Sequence, residues 1–259
     1  MSDRKRVLIT GAAGRIGTMV RQALAYTYDL KGIDIRPIEG FDSFVANMTD
    51  YASIRPAFEG MDVVIDLANN PSGGLSWEEA YANNIPSSYN CLRAAQEAGV
   101  KRYILTSSNR ATEGYERDEP YASICRGEYA GLQPGSFPLI TPAMPVRPNG
   151  PYGIGKCLAE AAARYFSDYH GMSCICLRLG TVHGGEEPRA IRQFATLLTP
   201  RDLQQLYRCA VEAPDDLRFA TFYGVSNNRW RFWEISDAER LIGFRPHDDA
   251  EAWRGKVDL

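Results

Sequence analysis

The sequence predicts an α/β fold built on a doubly wound parallel sheet. Short apolar runs, such as KRVLIT at 5–10 and MDVVIDL at 61–67, alternate with longer amphipathic stretches. Strands that are apolar on both faces are typical of parallel sheets covered by helices on both sides. The 259 residues are 44% hydrophobic and 24% charged, which is ordinary for a folded globular chain.

The individual elements follow from the apolar pattern and its flanking turn residues. Predicted strands cover residues 5–10, 29–35, 44–46, 61–67, 101–107 and 172–179. Predicted helices run from the turn after the first strand to about Tyr26, and then over 51–59, 76–98 and 151–169. Thr49 or Asp50 caps the second helix, Pro86 interrupts the third, and Gly99 ends it.

Two parts of the chain break this alternation. Residues 110–150 form a long polar stretch rich in proline and glycine, and loops of this length in compact domains are usually functional or disordered. From about residue 181, a helix over 200–212, a strand-like run over 217–224 and a short helix over 236–242 predict a small C-terminal lobe.

Composition excludes several classes of function. A net charge of −3 argues against nucleic-acid binding, and three scattered histidines argue against a metal site. No apolar run reaches the roughly 18–20 residues that span a bilayer, so we expect no membrane association. Six cysteines without a CxxC pattern predict reduced thiols, and MSDRKRVLIT leaves no room for a signal peptide, so we expect a cytoplasmic protein.

A glycine-rich turn follows the first strand directly. Residues 10–17, TGAAGRIG, give the pattern TGxxGxxG, which permits a tight turn and close approach of the backbone to a pyrophosphate. The helix that follows favours the anion at its N-terminus. Asp34 stands 17 residues after Gly17, where a carboxylate can bind the ribose hydroxyls of NAD. Arg36 can instead meet the 2′-phosphate of NADP, so the turn predicts a Rossmann-type site for NAD with NADP left open.

A second pattern, YxxxK, places Tyr152 and Lys156 on one face of a predicted helix. A cation beside a phenol favours the phenolate, and such a tyrosine can act as a general base near neutral pH. Ligands of open α/β sheets bind at the carboxyl ends of the strands. Ser108, at the end of the fifth strand, is therefore our candidate for the hydroxyl that contacts the reacting oxygen, with Ser107 as the alternative.

Together these motifs resemble the extended branch of the short-chain dehydrogenase/reductase superfamily. Further matches lie along essentially the whole chain, at KRYILTSS (101–108), NIPSSYN (84–90), RLGTVHG (178–184) and IGFRP (242–246). The resemblance implies a single domain, with residues 1–180 mainly a Rossmann-type NAD-binding core and 181–259 mainly a small substrate-binding lobe. It also implies a homodimer formed by the helices at 76–98 and 151–169.

Within that branch, SSN at 107–109, RPNGPYGIGK at 147–156 and LRLGT at 177–181 resemble uronate dehydrogenases and related NAD-dependent aldose 1-dehydrogenases. Such enzymes oxidise the anomeric carbon of a cyclic sugar to a lactone. The resemblance implies that Tyr152 is the base, Lys156 its partner and Ser108 the hydroxyl that holds the proton. The expected cofactor contacts are Gly11, Gly14, Arg15, Ile16, Gly17, Asp34, Arg36, Asn47, Met48, Leu67, Ala68, Asn84, Tyr152 and Lys156.

The resemblance also implies substrate contacts. Asn109 and Thr181 correspond to positions that contact sugar hydroxyls, and Arg192, or alternatively Arg189, corresponds to the arginine that binds a C6 carboxylate. The segment 110–146 is longer than in typical uronate dehydrogenases, and Arg110 stands where histidine is common. Three arginines together predict a sugar with an anionic C6 group, which can be a uronate, a phosphate or a sulfonate.

Two other positions depart from the pattern: Asn47 replaces the usual aspartate near adenine, and Asp66 replaces a usual histidine. The cofactor motifs also fit nucleotide-sugar epimerases or reductases, and non-catalytic NAD(P)-sensing proteins. Nucleotide-sugar enzymes need a C-terminal region large enough for a nucleoside diphosphate, and the 79 residues that follow Gly180 are few for that purpose. NAD(P)-sensing proteins can lose the tyrosine–lysine pair, which this chain keeps. The sequence therefore favours a sugar 1-dehydrogenase.

Overall fold

A computed structural model describes residues 4–72 and 74–259. The described residues form seven strands in one sheet, in the order β3-β2-β1-β4-β5-β6-β7, and all neighbouring strands are parallel. They are β1 (Arg6–Thr10), β2 (Asp29–Asp34), β3 (Ser43–Val45), β4 (Val63–Asp66), β5 (Arg102–Ser108), β6 (Ser173–Leu179) and β7 (Phe219–Gly224). The predicted doubly wound, Rossmann-type parallel sheet is confirmed.

Helices cover both faces of this sheet. The α-helices are α1 (Arg15–Leu24), α2 (Tyr51–Ile54), α3 (Trp77–Glu79), α4 (Ile85–Glu97), α5 (Tyr121–Arg126), α6 (Pro151–His170), α7 (Gln193–Thr196), α8 (Pro200–Val211) and α9 (Ser236–Ile242). Short 3-10 helices cover Arg55–Phe58, Asn109–Ala111, Glu113–Arg117 and Ala250–Trp253.

The alternation of side chains along each strand separates two apolar layers. Val7 and Ile9 of β1 pack in the cluster that includes α1 and α8. Leu8, between them, packs in the opposite cluster with Leu92 of α4 and Ala163 of α6. The sheet is thus buried on both faces, which explains why its strands are apolar throughout.

The predicted break near Pro86 is a π-helical turn, Ala80–Asn84, which joins α3 to α4. Proline has no N–H to donate, so the helical hydrogen-bond ladder is loosened in the turn that precedes it. Ser76 begins the helical stretch with a capping box, in which its hydroxyl accepts from the Glu79 N–H and the Glu79 carboxylate accepts from the Ser76 N–H. Asp50 caps α2 by accepting from the N–H of Ser53, which decides between the two predicted caps.

Two expectations differ from the structure. The stretch 110–150 is not an unstructured loop: it carries two 3-10 helices and α5, whose Tyr121 and Ile124 pack with Phe232 and Trp233 in a third apolar cluster. The strand and helix expected in a C-terminal lobe belong to the sheet layers, because β7 pairs with β6 and α8 packs beside α1. A strand's apolar pattern shows that it is buried but does not show which strand it pairs with.

Candidate active site

The glycine turn lies at the carboxyl end of β1, and two of its positions accept only glycine. A Cβ on Gly17 would lie 2.4 Å from the carbonyl oxygen of Gly11 and 2.8 Å from the backbone of Ala12. Gly11 has a φ of +63°, and a Cβ there would lie 2.9 Å from the carbonyl carbon of Leu67. Gly14 is the N-cap of α1, and among the described residues no side chain caps this helix and no acid lies in its first turn. Its first N–H groups are therefore suited to an anion.

Asp34, at the end of β2, is held against this turn. Its carboxylate accepts from the backbone N–H groups of Ala13 (2.9 Å) and Arg36 (3.2 Å), and the residue is 7% exposed. Arg36 is exposed, and its guanidinium donates to the carbonyl oxygen of Ala13. Arg15 and Ile16 form the start of α1. A helix N-terminus beside a fixed carboxylate fits the pyrophosphate and the adenosine ribose of a dinucleotide.

Lys156 and Tyr152 project from the first two turns of α6. The buried Lys156 ammonium donates to the carbonyl oxygen of Thr106 (2.6 Å) and lies 5.7 Å from the centroid of the Tyr152 ring. A Cβ on Gly153 would lie 2.4 Å from the carbonyl oxygen of Arg110. This close approach keeps the start of α6 against the chain that follows Ser108. The predicted proximity of the tyrosine and the lysine is therefore present in the structure.

The two candidate serines have different partners because successive residues of a strand face opposite sides. Ser107 donates to the carboxylate of Glu160, which forms a buried ion pair with Arg178 (2.7 Å). Ser108 accepts from the N–H of Arg110 (3.2 Å) and donates to the side chain of Asn109 (3.2 Å), at the carboxyl edge of the sheet. Ser107 is therefore part of a structural network, and Ser108 remains the candidate for contact with substrate.

A buried carboxylate organises the chain that follows β4. Asp66 accepts hydrogen bonds from Thr10 (2.6 Å) and Tyr103 (2.7 Å). The Thr10 hydroxyl oxygen in turn accepts from the N–H groups of Leu67 and Ala68, which are two of the expected cofactor contacts. Burial raises the pKa of Asp66, although these hydrogen bonds and the nearby ammonium of Lys156 act in the opposite direction. The sequence marked Asp66 only as a departure from the family pattern; its role in fixing this turn was missed.

Three expected cofactor contacts have other partners. The amide of Asn84 accepts from the N–H and donates to the carbonyl oxygen of Asn70 (2.9 and 3.1 Å), so it ties the π-helical turn to the chain after β4. Asn47 is exposed and accepts from the N–H of Thr49 (3.0 Å). Met48 is buried in the apolar layer under α4. Asn84 and Asn47 thus hold nearby backbone and Met48 belongs to the core, while contact of all three with the cofactor stays a prediction.

The expected substrate residues meet where β5 and β6 end. Asn109 directly follows Ser108, the last residue of β5, and is buried. Thr181 follows β6, and its hydroxyl lies 2.9 Å from that of Thr196 and accepts from Arg192 (3.3 Å). Residues that are distant in sequence thus converge beside the serine.

The three arginines predicted to hold an anion each pair with a carboxylate. Arg192 forms a two-point pair with Glu116 (2.5 and 2.6 Å), and Arg110 lies 3.9 Å from Glu113. Arg189 is exposed and pairs with Glu187. Sequence reasoning missed Glu113 and Glu116. The available signal was that the long segment that contributes Arg110 also carries acids within six residues of it.

A cleft of about 970 Å³ lies at the opposite edge of the sheet, at the amino ends of the strands. Its lining includes Arg6, Lys101 and Arg102, but Arg102 donates to backbone carbonyls at the end of α8 and just after it, and Arg6 pairs with Asp62. These contacts join elements of the fold. In the two described ranges, we find no group of three metal-ligating side chains and no helix long and apolar enough to cross a membrane.

Comparisons with known proteins agree with this geometry. Residues 7–211 match the model of the NAD dependent epimerase/dehydratase family. The chain is 32% identical to an L-arabinose 1-dehydrogenase (NAD(P)(+)) of Haloferax volcanii, over 95% of this chain and 97% of that protein. It is 30% identical to an NAD-dependent glucose-6-phosphate dehydrogenase of the same organism, over 94% of each.

A solved structure is also similar. It is a mutant of uronate dehydrogenase from Agrobacterium tumefaciens complexed with NAD, with a TM-score of 0.82, 26% identity, and coverage of 98% of this chain and 88% of that one. The family match spans most of the chain, and the similarity to the arabinose dehydrogenase spans nearly all of both proteins. This chain therefore belongs to the NAD dependent epimerase/dehydratase family, within the extended short-chain dehydrogenase/reductases that its motifs resemble.

Proposed function

We propose that this protein is an NAD-dependent sugar 1-dehydrogenase, which oxidises the anomeric carbon of a free sugar to a lactone. The observation that carries the proposal is the arrangement at the carboxyl edge of the sheet. There the Tyr152–Lys156 pair of α6 and Ser108 of β5 lie on the same side as the glycine turn of β1. Two relatives that match over nearly their full length are named as sugar dehydrogenases. One name specifies C1 and NAD(P), and the other specifies NAD.

Each side chain has a distinct task in this proposal. Tyr152 takes the proton from the anomeric hydroxyl, and Lys156, held by the Thr106 carbonyl, keeps a positive charge close to the phenol ring. Ser108 donates a hydrogen bond to the same sugar oxygen and so fixes it beside the base. NAD, when bound, supplies the acceptor for the hydride that leaves C1.

Preference for NAD is supported by Asp34. A carboxylate held by two backbone N–H groups accepts hydrogen bonds from both hydroxyls of an adenosine ribose but repels a 2′-phosphate. The similar uronate dehydrogenase structure contains NAD, and the name of the arabinose dehydrogenase includes NADP. Arg36, exposed beside Asp34, is the residue through which NADP would be accepted.

Two further properties complete the proposal. Exposed apolar and aromatic side chains on α4 and α6, such as Tyr89, Leu158 and Tyr169, support a homodimer in which these helices pair.

All six cysteines are free thiols, which fits the reducing cytoplasm that we propose as the location of the protein.

The test is a sugar panel assayed for NADH formation. The panel contains neutral aldoses, hexuronates, and hexoses with a phosphate or sulfonate at C6, each with NAD and with NADP. We expect NADH to form with at least one free sugar, NAD to be preferred over NADP, and UDP-sugars to be inactive. The absence of NADH with every free sugar, or turnover restricted to UDP-sugars, would contradict the proposal.

A further inference from the structure

A cluster of two arginines and two carboxylates stands at the carboxyl ends of β5 and β6, and we refer to it as the Glu–Arg cluster. It consists of Arg110, Glu113, Glu116 and Arg192. Arg192 forms the two-point pair with Glu116 and lies 3.7 Å from Glu113, which in turn lies 3.9 Å from Arg110. The cluster joins the segment after Ser108 to the segment that precedes α7.

The pair between Arg192 and Glu116 is tightly held. The Glu116 side chain is 9% exposed and that of Arg192 27%, so water screens the pair weakly. The guanidinium also donates towards the hydroxyls of Thr181 and Thr196. Burial would lower the pKa of Arg192, but its hydrogen bonds to Glu116 and the nearby charges of Glu116 and Glu113 outweigh burial and raise it. The charge of Arg192 is therefore already matched by a carboxylate of the same chain.

This pairing has a consequence for the sugar. Glu116 occupies the Nε and Nη2 donors of Arg192, so an anionic C6 group could bind them only by displacing that carboxylate into a poorly hydrated place. An anion bound at Nη1 instead would bring its negative charge next to both Glu113 and Glu116. Because an unpaired charge in such surroundings is costly in free energy, a charged sugar should bind here much more weakly than a neutral one. Neutral hydroxyls have no such conflict, because they can donate to Glu113 or Glu116 and accept from the arginines at the same time.

We propose that Glu116 is a specificity-determining residue that selects sugars with no charge at the end remote from C1. This inference rests on the proposed function and deepens it. It predicts a hydroxymethyl group or a hydrogen at C6, whereas the arginines alone predict an anionic group, and the experiment below decides between these two predictions. Among the similar proteins, one is named for an uncharged sugar, L-arabinose, and others for glucose-6-phosphate and uronates, so the inference rests on the contacts of Glu116 and not on those names.

The experiment compares matched sugars that differ only at C6. The ratio of kcat/KM for D-glucose and D-glucuronate, and for D-galactose and D-galacturonate, is measured with NAD for the wild type, Glu116→Gln and Glu97→Gln. Glutamine keeps the shape of Glu116 but removes its charge. Glu97 is the matched control, since it pairs with Arg93 (2.8 Å) on the exposed face of α4.

We expect the wild type to prefer the neutral member of each pair. Because an ionic hydrogen bond is commonly equivalent to tenfold or more in an equilibrium constant, Glu116→Gln should move each ratio towards the uronate by at least about tenfold. Glu97→Gln should leave both ratios unchanged.

Three results would overturn the inference. A wild type that prefers the uronates contradicts it, but leaves the sugar dehydrogenase proposal intact. If the wild type prefers the neutral sugars and Glu116→Gln does not alter this preference, another residue determines it. This conclusion requires that the variant melt within a few degrees of the wild type. If Glu116→Gln unfolds, the wild-type ratios alone decide the substrate class. Absence of activity with every sugar overturns the proposed function and this inference with it.

Discussion

Replacing Tyr152 by phenylalanine is expected to lower kcat by roughly 10²–10⁴-fold, the usual contribution of a positioned general base. Phenylalanine keeps the ring against which Lys156 packs, 5.7 Å from its centroid, and removes only the hydroxyl. Because the ring remains, the helix, the lysine and the glycine turn should stay in place. The Kd for NAD, measured by fluorescence titration, should change by less than about threefold.

The matched control for this substitution is Tyr26→Phe, which follows α1, is 89% exposed and lies outside both the site and the helices proposed to pair in a dimer. It should leave both kcat and NAD affinity unchanged. If Tyr152→Phe retains a kcat close to that of the wild type, Tyr152 is not the base. If it loses NAD binding in parallel with turnover, its role is structural.

Introducing one methyl group at Gly17 has the second largest expected effect. The Cβ of Gly17→Ala would lie 2.4 Å from the carbonyl oxygen of Gly11. No side-chain rotation can relieve this contact, because the backbone fixes the positions of both atoms. The turn and α1 must therefore separate, which typically destabilises a packed structure by about 1–3 kcal/mol. Since the displaced N–H groups are those that would bind the pyrophosphate, we expect NAD affinity to fall at least about tenfold.

Gly155→Ala provides the control for this prediction. In α6 a Cβ on Gly155 would meet Ile85 at 3.9 Å, an ordinary contact. Alanine is a better helix former than glycine by about 1 kcal/mol, so this variant should melt at or above the wild-type temperature. Unchanged NAD affinity in Gly17→Ala, measured in a protein that still unfolds cooperatively, would show that the turn does not hold the cofactor.

Sequence alone predicted the parts of the site that depend on local spacing. The glycine turn, its position after β1 and the acid at the end of β2 lie within one βαβ unit, so their geometry follows from that unit. Tyr152 and Lys156 lie four residues apart on one helix, and helical periodicity brings them together. These contacts need little information about the remainder of the fold.

The substrate side could not be predicted in the same way. Arg192 and Glu116 are separated by 76 residues, and no local pattern shows that they pair. The sequence therefore presented Arg192 as a free cation, whereas the structure places a carboxylate on it. The same limit applies to the choice between Ser107 and Ser108, which rests on the position of Glu160 in α6.

The most direct test of the central claim is the origin of the hydride. A sugar that is active in the panel is prepared with deuterium at C1, and separately with deuterium at C4, and the NADH formed is analysed by mass spectrometry. Oxidation at the anomeric carbon predicts one deuterium in NADH from the C1-labelled sugar and none from the C4-labelled sugar. Unlabelled NADH from the C1-labelled sugar, or label transferred from C4, would contradict a sugar 1-dehydrogenase.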